Sequence, residues 1–190
     1  MADEKLTTDE KNYLLKLARE VLEKRIHGQP IDSIDMETVP QKLREKGASF
    51  VTLKKGGSLR GCIGTLEPYQ SLVEDVCEHV ISAAFLDYRF PPLLLEELQE
   101  VTIEISRLTI PKKLDYVNPD DLLSRLRPGI DGVVLRDGNR RATFLPQVWE
   151  KIPDPEDFLS HLCNKMGVPA NTWRQKNMEV LIYHVEDFHE

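Results

Sequence analysis

The sequence predicts an α+β fold of helices with mainly antiparallel sheets. Three observations carry this: strand patterns arrive as hairpins, helical patterns fall between them, and no regular strand–helix–strand series is present. At 190 residues the chain is long enough to bury a substantial core. It fits one domain over 1–190, or two intimately packed subdomains, better than two independent ones.

The first element is a helix over residues 9–25, where Leu14, Leu17, Ala18, Val21 and Leu22 recur at helical spacing. Thr7 with Glu10 has the spacing of a capping box, and His27-Gly28-Gln29-Pro30 stops the helix. A short helix over 40–46 starts at Pro40, a residue suited to a first turn, and ends at Gly47. A hairpin follows, with strands at 49–54 and 58–66 around Lys55-Gly56-Gly57. The stretch 71–86 is an amphipathic helix carried by Leu72, Val73, Val76, Val80, Ala83 and Ala84. Phe90-Pro91-Pro92 cannot continue it. Residues 99–108 alternate, with Val101, Ile103 and Ile105 on one face and Thr102, Glu104 and Ser106 on the other, as in a half-buried strand. A short helix over 120–125 precedes a second hairpin, 132–136 with 140–145, turned by Asp137-Gly138-Asn139. A helix over 155–166 buries Phe158, Leu159 and Leu162 and stops at Gly167. One last strand covers 179–185.

Composition narrows the function. A formal net charge of −7 argues against a broad nucleic-acid surface. No apolar run approaches the roughly 18 residues of a membrane helix. The start, Met1-Ala2-Asp3-Glu4-Lys5, lacks an apolar signal core, so the expected location is cytoplasmic. Three cysteines lie far apart without a CxxC pair and five histidines form no HExxH motif, so no metal site is expected. No cofactor is specified.

The chemistry concentrates in Leu59-Arg60-Gly61-Cys62-Ile63-Gly64-Thr65. On a regular strand, Leu59, Gly61, Ile63 and Thr65 share one side, and Arg60, Cys62 and Gly64 the other. The second set offers a guanidinium, a thiol and a glycine past which a ligand can approach the backbone. Arg60 suits a carboxylate or phosphate, and a neighbouring guanidinium favours a thiolate nucleophile at Cys62. The plainer account is a packed free cysteine, a structural ion pair at Arg60 and glycines serving a bulge. After the next helix, Arg89 can join Arg60 around an anion, or pair locally with Asp87. Arg125, Arg127, Arg136, Arg140 and Arg141 make the one basic cluster of note, read as a solvated hairpin tip. His79, His161 and His184 read as structural or exposed.

The heptapeptide resembles the signature of the AMMECR-one domain family. The likeness continues through Phe50-Val51-Thr52-Leu53, Ala83-Ala84, Asp87, Arg89-Phe90-Pro91-Pro92, Ile103-Glu104-Ile105-Ser106, Gly132-Val133, Leu145-Pro146-Gln147-Val148 and a block from Phe158 to Trp173. The resemblance implies an α+β fold of a larger and a smaller subdomain, with the signature at the cleft between them. It assigns no reaction, but implies association with Memo-like and radical S-adenosylmethionine proteins. Many members place His where this chain has Asp131, so a mechanism using that imidazole does not transfer directly. Asp131 is left to orient a partner or accept a proton. The residues expected to act are therefore Cys62, Asp87 and Asp131. Arg60, Gly61, Gly64, Thr65 and Arg89 are expected to hold a small anionic or nucleotide-like ligand. The alternative is a non-catalytic binding or adaptor module for those partner proteins.

Overall fold

The computed structural model describes residues 5–190, so the expectation for the charged start, residues 1–4, lies outside the described residues. The fold is α+β, and the chain divides into two units. One runs to Ile110 and takes in Glu186–Glu190; the other is Pro111–Val185.

The first unit holds α1 (Thr8–Ile26), α2 (Gln41–Arg44), β1 (Lys46–Lys55), β2 (Ser58–Gly64), β3 (Gln70–Ser71), α3 (Leu72–Phe85) and β4 (Val101–Leu108). Thr7 closes the expected capping box on α1: its hydroxyl accepts from Glu10 N–H, while the Glu10 carboxylate accepts from Thr7 N–H. Helix α2 is shorter than its pattern suggested, because Lys46 and Gly47 are drawn into strand pairing with Ser71 and Gln70 of β3. The β1–β2 hairpin turns through Gly56 and Gly57, whose φ of 56° and 79° are the left-handed values a tight hairpin requires. The sheet runs in the order β2-β1-β4 and ends on a last strand, β9 (Val185–His189), with β3 also on β1. Val51, Leu53, Ile103 and Ile105 of the sheet form one core with Leu14, Ala18 and Leu22 of α1 and Val73, Val76 and Val80 of α3.

The second unit holds β5 (Lys112–Lys113), α4 (Pro119–Arg125), β6 (Gly132–Asp137), β7 (Arg140–Phe144), α5 (Pro155–Met166), α6 (Thr172–Gln175) and β8 (Glu179–Tyr183). Its sheet order is β5-β8-β6-β7, with antiparallel pairs throughout. Trp149 stacks on Phe158 of α5 with ring centroids 3.6 Å apart, at the centre of a separate core with Val133, Leu135, Leu162 and Trp173. The single last strand expected over 179–185 is corrected here. The chain breaks at His184: β8 stays in the second sheet and β9 joins the first beside β4.

Candidate functional site

The position of Cys62 follows from one irregularity. Counted back from the Lys55–Ser58 pair, an unbroken ladder would set Cys62 opposite Val51, whose side chain is wholly buried. Instead the register slips. Lys54 faces Leu59 while Leu53 faces Gly61, so Arg60 is an extra, bulged residue. Cys62 therefore stands opposite Thr52, on the face away from the core. This corrects the regular alternation expected from the sequence, since Leu59 now shares the face of Lys54, Thr52 and Cys62. On the same face Glu104 of β4 is the next residue across from Thr52, and its carboxylate takes Lys54 Nζ at 2.5 Å. Thiol, hydroxyl, carboxylate and ammonium thus cross three strands side by side.

Cys62 is held from both directions. Thr52 Oγ1 donates to Sγ at 3.2 Å. The Cys62 N–H donates to Asp87 Oδ2 at 2.8 Å, and the Cys62 carbonyl accepts from Arg89 Nη2 at 3.2 Å. Asp87 and Arg89 are joined by Nε–Oδ1 and Nη2–Oδ2 contacts of 2.9 and 2.7 Å. β2 is an edge strand, and this clasp satisfies backbone groups that would otherwise face outward. Arg89 and the two amides hold the Asp87 carboxyl well below the usual carboxylate range, despite burial.

Arg60 reaches elsewhere. Its Nε and Nη2 grip Glu97 at 3.0 and 2.8 Å, and Nη2 also meets the Pro92 carbonyl. Glu97 sits on a short 3₁₀ turn, Leu95–Glu97, and the Arg60 guanidinium pulls its carboxyl down to about 2. Arg60 and Arg89 thus each hold their own carboxylate in this structure. Gly61 and Gly64 make room for the protein itself. A Cβ on Gly61 would lie 2.1 Å from the Ala83 carbonyl oxygen of α3, and one on Gly64 2.4 Å from both the Phe50 ring and the Ser49 carbonyl. Thr65 turns the chain, its hydroxyl accepting from Glu67 N–H at 3.2 Å.

Asp131 belongs to the second unit and is wholly buried. Arg127 bonds it through N–H, Nε and Nη2 at 2.9, 3.2 and 2.6 Å, and His184 Nε2 lies 3.0 Å from Oδ1. Its backbone carbonyl accepts from the Trp149 indole at 2.7 Å. Gly132 beside it lies against the Tyr183 ring, where a Cβ would come within 2.4 Å.

Sequence reasoning missed Glu97, Thr52 and Glu104. Nothing local marks Glu97 as the partner of Arg60. Thr52 and Glu104 depend on strand register. It also missed a buried polar group under the sheet: Ser49 Oγ donates to Asp75 Oδ2 at 2.6 Å, and His79 Nδ1 lies 3.2 Å from the same oxygen. The i, i+4 spacing of Asp75 and His79 was the available signal. Among the described residues no three of His, Cys, Asp and Glu gather to hold a metal. No described helix is long and apolar enough to cross a membrane.

Comparison with known proteins agrees with this architecture. The family model described as AMMECR1 matches residues 15–188. Protein MK0488 of Methanopyrus kandleri is 40% identical over 195 residues, covering 98% of this chain and 91% of that protein. A protein of Methanothermobacter thermautotrophicus is 37% identical, covering 97% and 96%. The crystal structure of uncharacterized protein PH0010 from Pyrococcus horikoshii superposes with a TM-score of 0.77 at 31% identity, covering 100% of this chain and 94% of that one.

Proposed function

The chain belongs to the AMMECR1 family, and we propose that its Cys62 strand is the working edge of an enzyme, or enzyme component, acting on a small anionic substrate. The observation that carries this reading is the fixing of Cys62. Its peptide group is clasped by Asp87 and Arg89, and its sulfur is met by the Thr52 hydroxyl. A nucleophile held in one geometry reacts without first ordering its own backbone. Cys62 is the reacting group in this reading. Arg89, whose side chain is 44% exposed, is the cation that meets the anionic part of the substrate. Asp87 is a positioning residue, because its carboxylate is spent on Arg89 and the Cys62 amide. Asp131 has no role in this reading.

Native-state alkylation with iodoacetamide tests the proposal, read at each cysteine by peptide mass spectrometry. Burial pushes the Cys77 thiol up to about 12 and raises that of Cys163, so both should resist labelling near neutral pH. Cys62 should label first, and Thr52→Val should slow it by about fivefold through loss of the hydrogen bond to sulfur. Labelling of Cys62 no faster than the other two would sink the nucleophile.

The second reading is a non-catalytic adaptor for Memo-like and radical S-adenosylmethionine proteins. It is favoured by Leu86, Tyr88, Leu94 and Leu95, which stand 69%, 95%, 60% and 50% exposed on the segment that carries Asp87 and Glu97. Clustered exposed apolar side chains mark interaction surfaces, and Tyr is enriched among the residues that anchor them. A complex with either partner that survives gel filtration and is weakened by Tyr88→Ser would support it.

A further inference from the structure

Past the Cys62 clasp, toward Thr65, the edge of β2 turns a backbone N–H and C=O outward with no partner for them. Cys62 sends its N–H and C=O to Asp87 and Arg89, away from β1, so Cys62 and Thr52 are a non-hydrogen-bonded pair of the ladder. The ladder is regular from Leu53 to Phe50, which makes Gly64 and Phe50 a pair of the same kind. The next residue confirms the phase, because Thr65 N–H returns to the Ser49 carbonyl at 3.0 Å. Gly64 therefore points its N–H and C=O to the open side, and neither has a partner among the described residues.

Two residues back, the same edge is closed by a cation. Arg89 uses Nε and Nη2 for Asp87 and the Cys62 carbonyl, leaving Nη1 without a partner among the described residues on a half-exposed side chain. Strand polarity then selects a ligand. A segment pairing with Gly64 antiparallel to β2 exchanges two backbone hydrogen bonds with it and runs, in its own C-terminal direction, back toward Cys62. It cannot pair with Cys62, whose outward groups are taken. A chain that ends one residue after its contact with Gly64 advances about 3.4 Å and sets its terminal carboxylate at the guanidinium of Arg89. We infer that the β2 edge binds the carboxyl-terminal end of an extended peptide, with Gly64 pairing its backbone and Arg89 Nη1 receiving its α-carboxylate. An internal strand would lose its pairing at the clasp, whereas a chain end stops where Arg89 stands. This names the ligand class for the edge assigned above; it rests on that edge being the working surface, and not on Cys62 acting as a nucleophile.

The experiment is an NMR titration of the ¹⁵N-labelled full chain with N-acetyl-Ala-Val-Ala carrying a free carboxylate, and with its carboxamide twin. The Gly64 amide and the Arg89 Nε–H signals should move and saturate with the carboxylate form. The carboxamide should bind at least about tenfold more weakly, since a charge-assisted bond is replaced by a neutral one. Arg89→Gln should abolish the difference between the two peptides. Cys62→Ser should leave binding intact, so failure of the thiol reading and failure of this one give different results. Equal shifts with both peptides, or no movement of Gly64 at about 10 mM of the carboxylate form, would overturn the inference. The comparison of the two peptides on the unsubstituted chain decides the matter even where Arg89→Gln does not fold.

Discussion

Two carboxylates beside the β2 edge, Asp87 and Glu97, each hold an arginine, but they stabilise different things. Asp87 fixes the backbone of Cys62 through its amide, whereas Glu97 anchors the bulged Arg60 and, through it, the Pro92 carbonyl. Both carboxyls are depressed by their arginines, so the unfolded chain takes up protons in an acid range where the folded chain does not. Stability from Glu97 is complete above its ordinary value of 4.5 and is lost as pH falls toward about 2. Glu97→Gln should destabilise the protein at neutral pH by about 1–2 kcal/mol and flatten the fall in melting temperature across that window. An unchanged acid profile would mean the Arg60 pair contributes nothing to folding. Gly61 is the second sensitive residue. Gly61→Ala forces a methyl against the Ala83 carbonyl, where only backbone can yield, and should lower stability by about 1–3 kcal/mol in chemical denaturation.

Among the elements, α3 carries the Asp87 clasp of the candidate site to the β2 edge. It starts at a capping box in which Ser71 accepts from Glu74 N–H and the Glu74 carboxylate accepts from Ser71 N–H. It packs its apolar face on β1, and it ends where Asp87 must reach the β2 edge. Within that packed face Asp75 is wholly buried between Ser49 and His79, and its Oδ1 has no hydrogen-bond partner. A buried carboxylate so placed depends on the few donors it has. Ser49→Ala removes the shorter of its two contacts and should lower stability by about 1–3 kcal/mol, measured by denaturant unfolding. A neutral result would show that Asp75 is held by His79 alone.

At the scale of the molecule, each unit has its own core, built on its own sheet. The second centres on Phe158, stacked on Trp149 and meeting Phe144 edge-on with centroids 5.2 Å apart. Phe158→Ala should destabilise by about 3–5 kcal/mol. Hydrogen exchange should then quicken in β6, β7 and α5 well before it does in β1 and β4, because Phe158 belongs to the second core and not to the first. Uniform acceleration through both sheets would show instead that the two cores open as one.

What the residues determined by themselves is the class of fold and the strand on which the candidate site is proposed. Periodicity placed the long helices because burial of Leu14, Ala18, Leu22, Val73, Val76 and Val80 is a local demand of an amphipathic face. The Gly56-Gly57 turn likewise announced its hairpin, since few other residues accept positive φ twice in succession. The unusual content of residues 59–65 marked the candidate site without a structure. Only the tertiary structure decided which way Cys62 points. That choice hangs on one bulged residue, because a slip of one position moves a strand's side chains to the opposite face. The contacts at that bulge come from distant segments: Glu97 grips Arg60, and Ala83 leaves room at Gly61 only for a hydrogen. The same holds at His184, where the last strand divides between two sheets although no Gly or Pro interrupts residues 179–189. Alternation is a property of neighbours in sequence, whereas the partner of an edge is set by segments that meet only when the chain has folded.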